Sequence, residues 1–89
     1  MTFYDYDLNF RRDGEAVYTL RAYGKPLPNG GYCMVRQASD TQWVRKTNWL
    51  AKWGDGGIRY EYYRSLDDAL LAGVKWARRR EAEDKRENA

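Results

Sequence analysis

"TQWVRKTNWLAKWGDGG", residues 41–57, holds three of the four tryptophans of the chain, Trp43, Trp49 and Trp53, with Arg45, Lys46 and Lys52 between them. Its reading decides whether the fold has a second helix or further strands. As a helix, it starts from Ser39 as N-cap with Gln42 three residues on, a capping-box pattern. Trp43, Val44, Thr47, Leu50 and Ala51 then share one face, Arg45, Asn48 and Lys52 the other, and Gly54 closes it as a C′ glycine. As a strand pair, "QWVR" and "WLAKW" flank a "KTN" turn. Both caps and the period agree on the helix, so a short helix over 40–53 is the favoured expectation.

The flanks are plainer. Upstream, "FYDYDLNF" alternates with period two, placing Tyr4, Tyr6, Leu8 and Phe10 on one face and Phe3, Asp5, Asp7 and Asn9 on the other. Asp13-Gly14 signals a two-residue hairpin turn, and "AVYTLRAY" is the return strand. The prolines and glycines of "GKPLPNGG" make a loop, and "YCMVRQA" is a third strand. Downstream, "DGG" turns the chain into "IRYEYY", with Ile58, Tyr60 and Tyr62 on one side.

A helix follows. Ser65 is its N-cap, Asp67 and Asp68 complement the positive end of its dipole, and Leu66, Ala69, Leu70, Gly73, Val74 and Ala77 form one apolar stripe. Past Ala77 the apolar positions stop. The expected architecture is α+β: a small antiparallel sheet with a C-terminal amphipathic helix on one face. Residues 1–77 make the single domain, and 78–89 a charged helical extension, carried by pairs such as Glu81 with Lys85, or a frayed tail.

Eighty-nine residues leave no room for a second core. The net charge of +3 is unevenly spread. Residues 1–40 and 65–89 are each neutral, whereas 41–64 carry five Lys/Arg against two Asp/Glu. The single cysteine, Cys33, rules out an internal disulfide, the N-terminus has no signal-peptide pattern, and the apolar run "ALLAGV" is too short for a bilayer. A cytoplasmic location without membrane contact is expected.

Enzyme chemistry has little to work with. The chain has no histidine, hence no usual general base, zinc ligand or partner for a nucleophile. "GDGG" does not lead from a strand into a helix, as a dinucleotide fingerprint must. The row Asp5, Asp7, Asn9 has the oxygen chemistry of a hard-cation site, but Phe10 stands where the loop needs glycine and Ala16 where it needs the bidentate glutamate. That row therefore reads as a solvated strand face, and Cys33 as a small core residue. No enzyme activity, metal or cofactor is expected.

What remains is a surface. Trp49 and Trp53 at i and i+4, beside Lys46 and with Arg45 and Lys52 outward, form the first part of a candidate binding patch. Arg59, Tyr63 and Arg64, on the second face of the tyrosine strand, complete it. Trp, Tyr and Arg suit a protein interface, and rings between cations suit single-stranded nucleic acid. Glu61 shares that face and repels phosphate, which ranks a protein partner first and nucleic acid second. A self-associating subunit of a larger assembly is a third possibility.

"WGDGG" followed by a strand and "YRSLDDAL" resembles the second half of WGR-type modules over residues 53–77, with Asp55 in place of the motif's arginine; that resemblance implies an association with nucleic acid. In size, strand–turn–helix plan and charged tail, the chain is also similar to small phage-encoded accessory proteins, anti-CRISPR proteins among them. This second resemblance implies an inhibitor or adaptor.

Overall fold

A computed structural model describes residues 5–49 and 57–87. Strands β1 (Tyr6–Phe10), β2 (Ala16–Leu20), β3 (Tyr32–Ser39), β4 (Gln42–Trp49) and β5 (Gly57–Tyr63) form one antiparallel sheet, each strand beside its neighbour in sequence. Helix α1 (Leu66–Glu87) packs across one face of it. The fold is α+β, as the hydropathy pattern predicts, and no helix among the described residues is long and apolar enough to cross a membrane.

The favoured helix over 40–53 does not form where the chain is described. Residues 42–49 are one continuous strand, so the alternative "KTN" turn is absent too: Thr47 and Asn48 pair with Arg59 and Ile58 inside the β4–β5 ladder. Ser39 pairs with Gln42 across a tight turn at Asp40-Thr41, and a bulge between Gln37 and Ser39 bends β3 into it. Leu50, Ala51, Lys52, Trp53 and Gly54 lie outside the described residues.

Two turns also differ in detail from expectation. At the β1–β2 hairpin, Gly14 donates to the Arg11 carbonyl at 2.9 Å and has φ +87°, while Asp13 keeps a negative φ. The loop is therefore a turn closed by a left-handed glycine, not a two-residue turn needing positive φ at both positions. The second strand stops at Leu20. Ala22 and Lys25 exchange both backbone hydrogen bonds around Tyr23 (φ +53°) and Gly24 (φ +76°), so the chain reverses before the prolines.

The core lies between α1 and the centre of the sheet. Leu20, Cys33 and Val35 meet Ala69, Leu70, Val74 and Ala77, all buried and all on the stripe expected of the helix. Gly73 is the point of closest approach: a Cβ there would stand 2.9 Å from Leu20 Cγ and 3.3 Å from Cys33 Sγ. Ser65 caps the helix as expected, its Oγ accepting from the Asp68 N–H at 3.1 Å. The helix runs unbroken to Glu87, with the expected Glu81–Lys85 pair at 3.0 Å and Arg78 stacked over Tyr23 at 5.2 Å.

Candidate functional site

Antiparallel register sorts the side chains of the sheet into two faces. On the helix side, β4 places Trp43, Arg45, Thr47 and Trp49, which pair with Tyr63, Glu61, Arg59 and Gly57 of β5. On the other side it places Val44, Lys46 and Asn48, which pair with Tyr62, Tyr60 and Ile58. Among the described residues, no helix covers that second face.

The sequence-derived patch is divided by this arrangement. Arg45, Trp49, Arg59 and Tyr63 are on the helix side, Lys46 is on the open side, and Arg64 lies exposed in the link to α1. Lys52 and Trp53 fall outside the described residues.

Several of these side chains already have internal work. The Arg45 side chain is only 11% exposed; its Nη2 reaches Glu61 Oε2 at 2.9 Å and its Nη1 donates to the Ala72 carbonyl at 3.1 Å, tying β4 and β5 to the helix. Tyr63 donates to the same Glu61 oxygen at 2.7 Å. Partial burial, then that hydrogen bond, pushes the Tyr63 hydroxyl up to about 12. Trp49 lies on Gly31, with its ring atom Cε3 2.6 Å from where a Cβ would stand, and meets Trp76 edge-on at 6.4 Å. The indole of Trp49 is thus packed at the rim of the core.

The open face has what the sequence reading overlooked. Ile58, Tyr60 and Tyr62, aligned by the sequence on one side of β5 as against Arg59 and Tyr63, are the exposed side, at 53%, 52% and 59%. The reason is their place on an edge strand, turned away from α1. Lys46 lies between Tyr32 and Tyr60, 5.8 and 6.0 Å from their ring centres. Beside it is a depression of about 320 Å³ lined by Val17 and Met34 and by the cations Arg11, Arg36 and Lys46. Among the described residues, the carboxylate paired with those cations is Glu15, 3.9 Å from both Arg11 and Arg36, a loose contact that offsets little of their field.

No family model, curated protein or solved structure matches this chain. The geometry alone therefore carries the functional argument.

The remaining sequence candidates are quickly placed. Asp5 and Asp7 are held by Arg21 at 3.3 and 3.4 Å, and Asp5 also accepts from the Gly24 N–H at 2.6 Å. Among the described residues no cluster of three or more metal-ligating side chains occurs. Cys33 is fully buried, and burial pushes its thiol up to about 12, the opposite of what a nucleophile needs.

Proposed function

We propose that this chain is a non-enzymatic protein-binding module, of the inhibitor or adaptor type, whose contact surface is the open face of the sheet. The observation that carries this reading is the depression floored by Val17 and Met34 and rimmed by Arg11, Arg36 and Lys46. Its aliphatic floor suits an apolar anchor residue, and its rim suits carboxylates flanking that anchor. Tyr32, Tyr60 and Tyr62 extend the surface with the ring-rich, acid-poor composition of interface centres.

Selection from a displayed random peptide library on the immobilised protein tests the proposal. Enriched peptides are expected to carry an apolar residue flanked by Asp or Glu. Their binding should fall at least tenfold in Met34→Glu, which sets a carboxylate in the floor while leaving the opposite, helix-covered core intact. Lack of enrichment, or peptides indifferent to Met34→Glu, would refute the reading. Displacement of the peptides by a single-stranded oligonucleotide would transfer the open face to nucleic acid.

A further inference from the structure

The helix side of the sheet has a second, separate feature. Between β5 and α1 runs a groove of about 280 Å³ whose floor includes the buried Thr47 and whose walls carry Arg59 and the Arg45–Glu61 pair from the strands and Lys75, Trp76 and Arg79 from the helix. It continues into a smaller hollow of about 110 Å³ that shares Thr47, Arg59 and Trp76 and reaches Trp49 and Arg80.

The carboxylates here are already engaged. Glu61 accepts from Arg45 and Tyr63, and Glu83 accepts from Arg80 Nη1 at 2.8 Å. Arg59, Lys75 and Arg79 have no hydrogen-bond or ion-pair partner among the described residues. Lys75 and Arg79 are moreover a like-charged i,i+4 pair, which disfavours the helix by a few tenths of a kcal/mol, and they face a third cation across the groove. The buried Nε atoms of Arg45 and Arg80 are also unpartnered. Such an arrangement is repulsive until an anion lies between its walls.

We infer that this groove binds the backbone phosphates of single-stranded nucleic acid. The groove is open, with cations on both walls, and among the described residues no turn of backbone N–H groups of the kind that cradles a terminal phosphate encloses it. A chain passing through it fits better than a small polyphosphate seated in it. On the other side of the same edge strand, beginning at the residue after Arg59, stand the exposed rings of Tyr60 and Tyr62, the platforms on which bases stack. Glu61, which by sequence argues against phosphate, has its charge balanced by Arg45. This inference shares Tyr60 and Tyr62 with the protein-partner reading but not the depression around Met34 on the opposite face, which is what separates the two.

The test is fluorescence anisotropy of a labelled oligothymidylate across a salt series. Three engaged cations give a slope of log affinity on log salt of about −2, a loss of about twentyfold between 50 and 200 mM. Replacing Arg59, Lys75 and Arg79 together by Ala should abolish binding. Replacing three exposed cations elsewhere (Arg12, Lys25 and Arg86) by Ala makes the same change in net charge and should leave most of it. Equal losses in the two triple variants would mean diffuse attraction and overturn the inference, as would no binding by the native chain. Inorganic tripolyphosphate matching the oligonucleotide in affinity would also overturn it. Should the groove triple fail to fold, Arg59→Gln and Arg79→Gln singly must each flatten the slope by about 0.7. An unchanged slope refutes the assignment, and Met34→Glu, outside the groove, must leave the slope unaltered.

Discussion

Replacing Gly73 by Ala tests the docking of α1 on the sheet, because two opposing effects of known size meet at that position. In an unconstrained helix interior, the change stabilises by about 0.8–1 kcal/mol, since glycine loses more backbone freedom on folding than alanine. Here the new methyl would stand 2.9 Å from Leu20 Cγ, 3.2 Å from Leu20 Cδ2 and 3.3 Å from Cys33 Sγ, inside the roughly 3.5–4.0 Å of a good carbon contact. Leu20 and Cys33 are 1% and 0% exposed, and Cγ is the branch point of the leucine, so only a change of χ1 that repacks the whole buried side chain would clear it. Overpacking of this kind costs about 1–3 kcal/mol. The net expectation is a loss near 1 kcal/mol, seen as a fall in Tm of about 4–8 °C for a domain of this size. Urea unfolding followed by helix circular dichroism should show the loss at unchanged m. In a Leu20→Ala background the sign should reverse, because the methyl then enters the space vacated and the helical gain stands alone. A Gly73→Ala variant more stable than the native chain would mean that the helix does not approach the sheet as closely as described.

Two other outcomes follow from the same packing. Trp49→Ala should lower stability by about 2 kcal/mol, part of the 3–5 typical of a fully buried ring, because the indole rests on Gly31 and Trp76; an unchanged urea midpoint would show the ring to be free for a partner. Burial raises the Cys33 thiol from its ordinary 9.0 to about 12, so the fold favours the protonated form. Its contribution is complete below about pH 9 and is lost as the pH rises toward 12, by up to about 1.4 kcal/mol per unit. Between neutral pH and about pH 10 the native chain should therefore lose stability faster than Cys33→Ala, and parallel pH profiles of the two would contradict the burial of the thiol.

The helix was legible because its signals are local: a serine cap, two first-turn aspartates and a stripe of small and branched residues at helical spacing. The β1–β2 hairpin was legible through strict alternation ending at Asp13-Gly14. β4 was not. Its helix-side residues include Arg45 and Thr47, both of which a hydropathy pattern counts as polar. One is shielded by Glu61 and the Ala72 carbonyl and the other by α1. On the opposite face, which no helix covers among the described residues, Val44 is 2% exposed. The period-two pattern is therefore scrambled, and Asp40-Thr41 lacks the glycine that marks tight hairpins. The candidate patch followed from that misreading. A helix would gather Arg45, Lys46 and Trp49 on adjoining faces, whereas a strand sends Lys46 to the side opposite its neighbours. Nothing in β5 alone says which of its two faces the helix covers; that depends on register with β4. The charge excess of residues 41–64 falls on β4 and β5, whose Lys46 and Arg59 each stand in one of the two proposed surfaces.

The meander order of the sheet also bears on how the chain comes off the ribosome. Each strand can pair with the one just made, so the sheet can assemble as it emerges, through short hairpin closures that cost little loop entropy. The helix, which among the described residues is the element that covers Leu20, Cys33 and Val35, is translated after all five strands. Until then both faces of a five-stranded sheet are bare, one of them with the apolar centre of the protein. The nascent chain thus passes through a sticky interval whose length is the time needed to synthesise some twenty residues, about one to four seconds at ordinary elongation rates. Slow codons within the helix would lengthen that interval and speeding them would shorten it, so the yield of native protein should depend on translation rate across α1 more than across any strand.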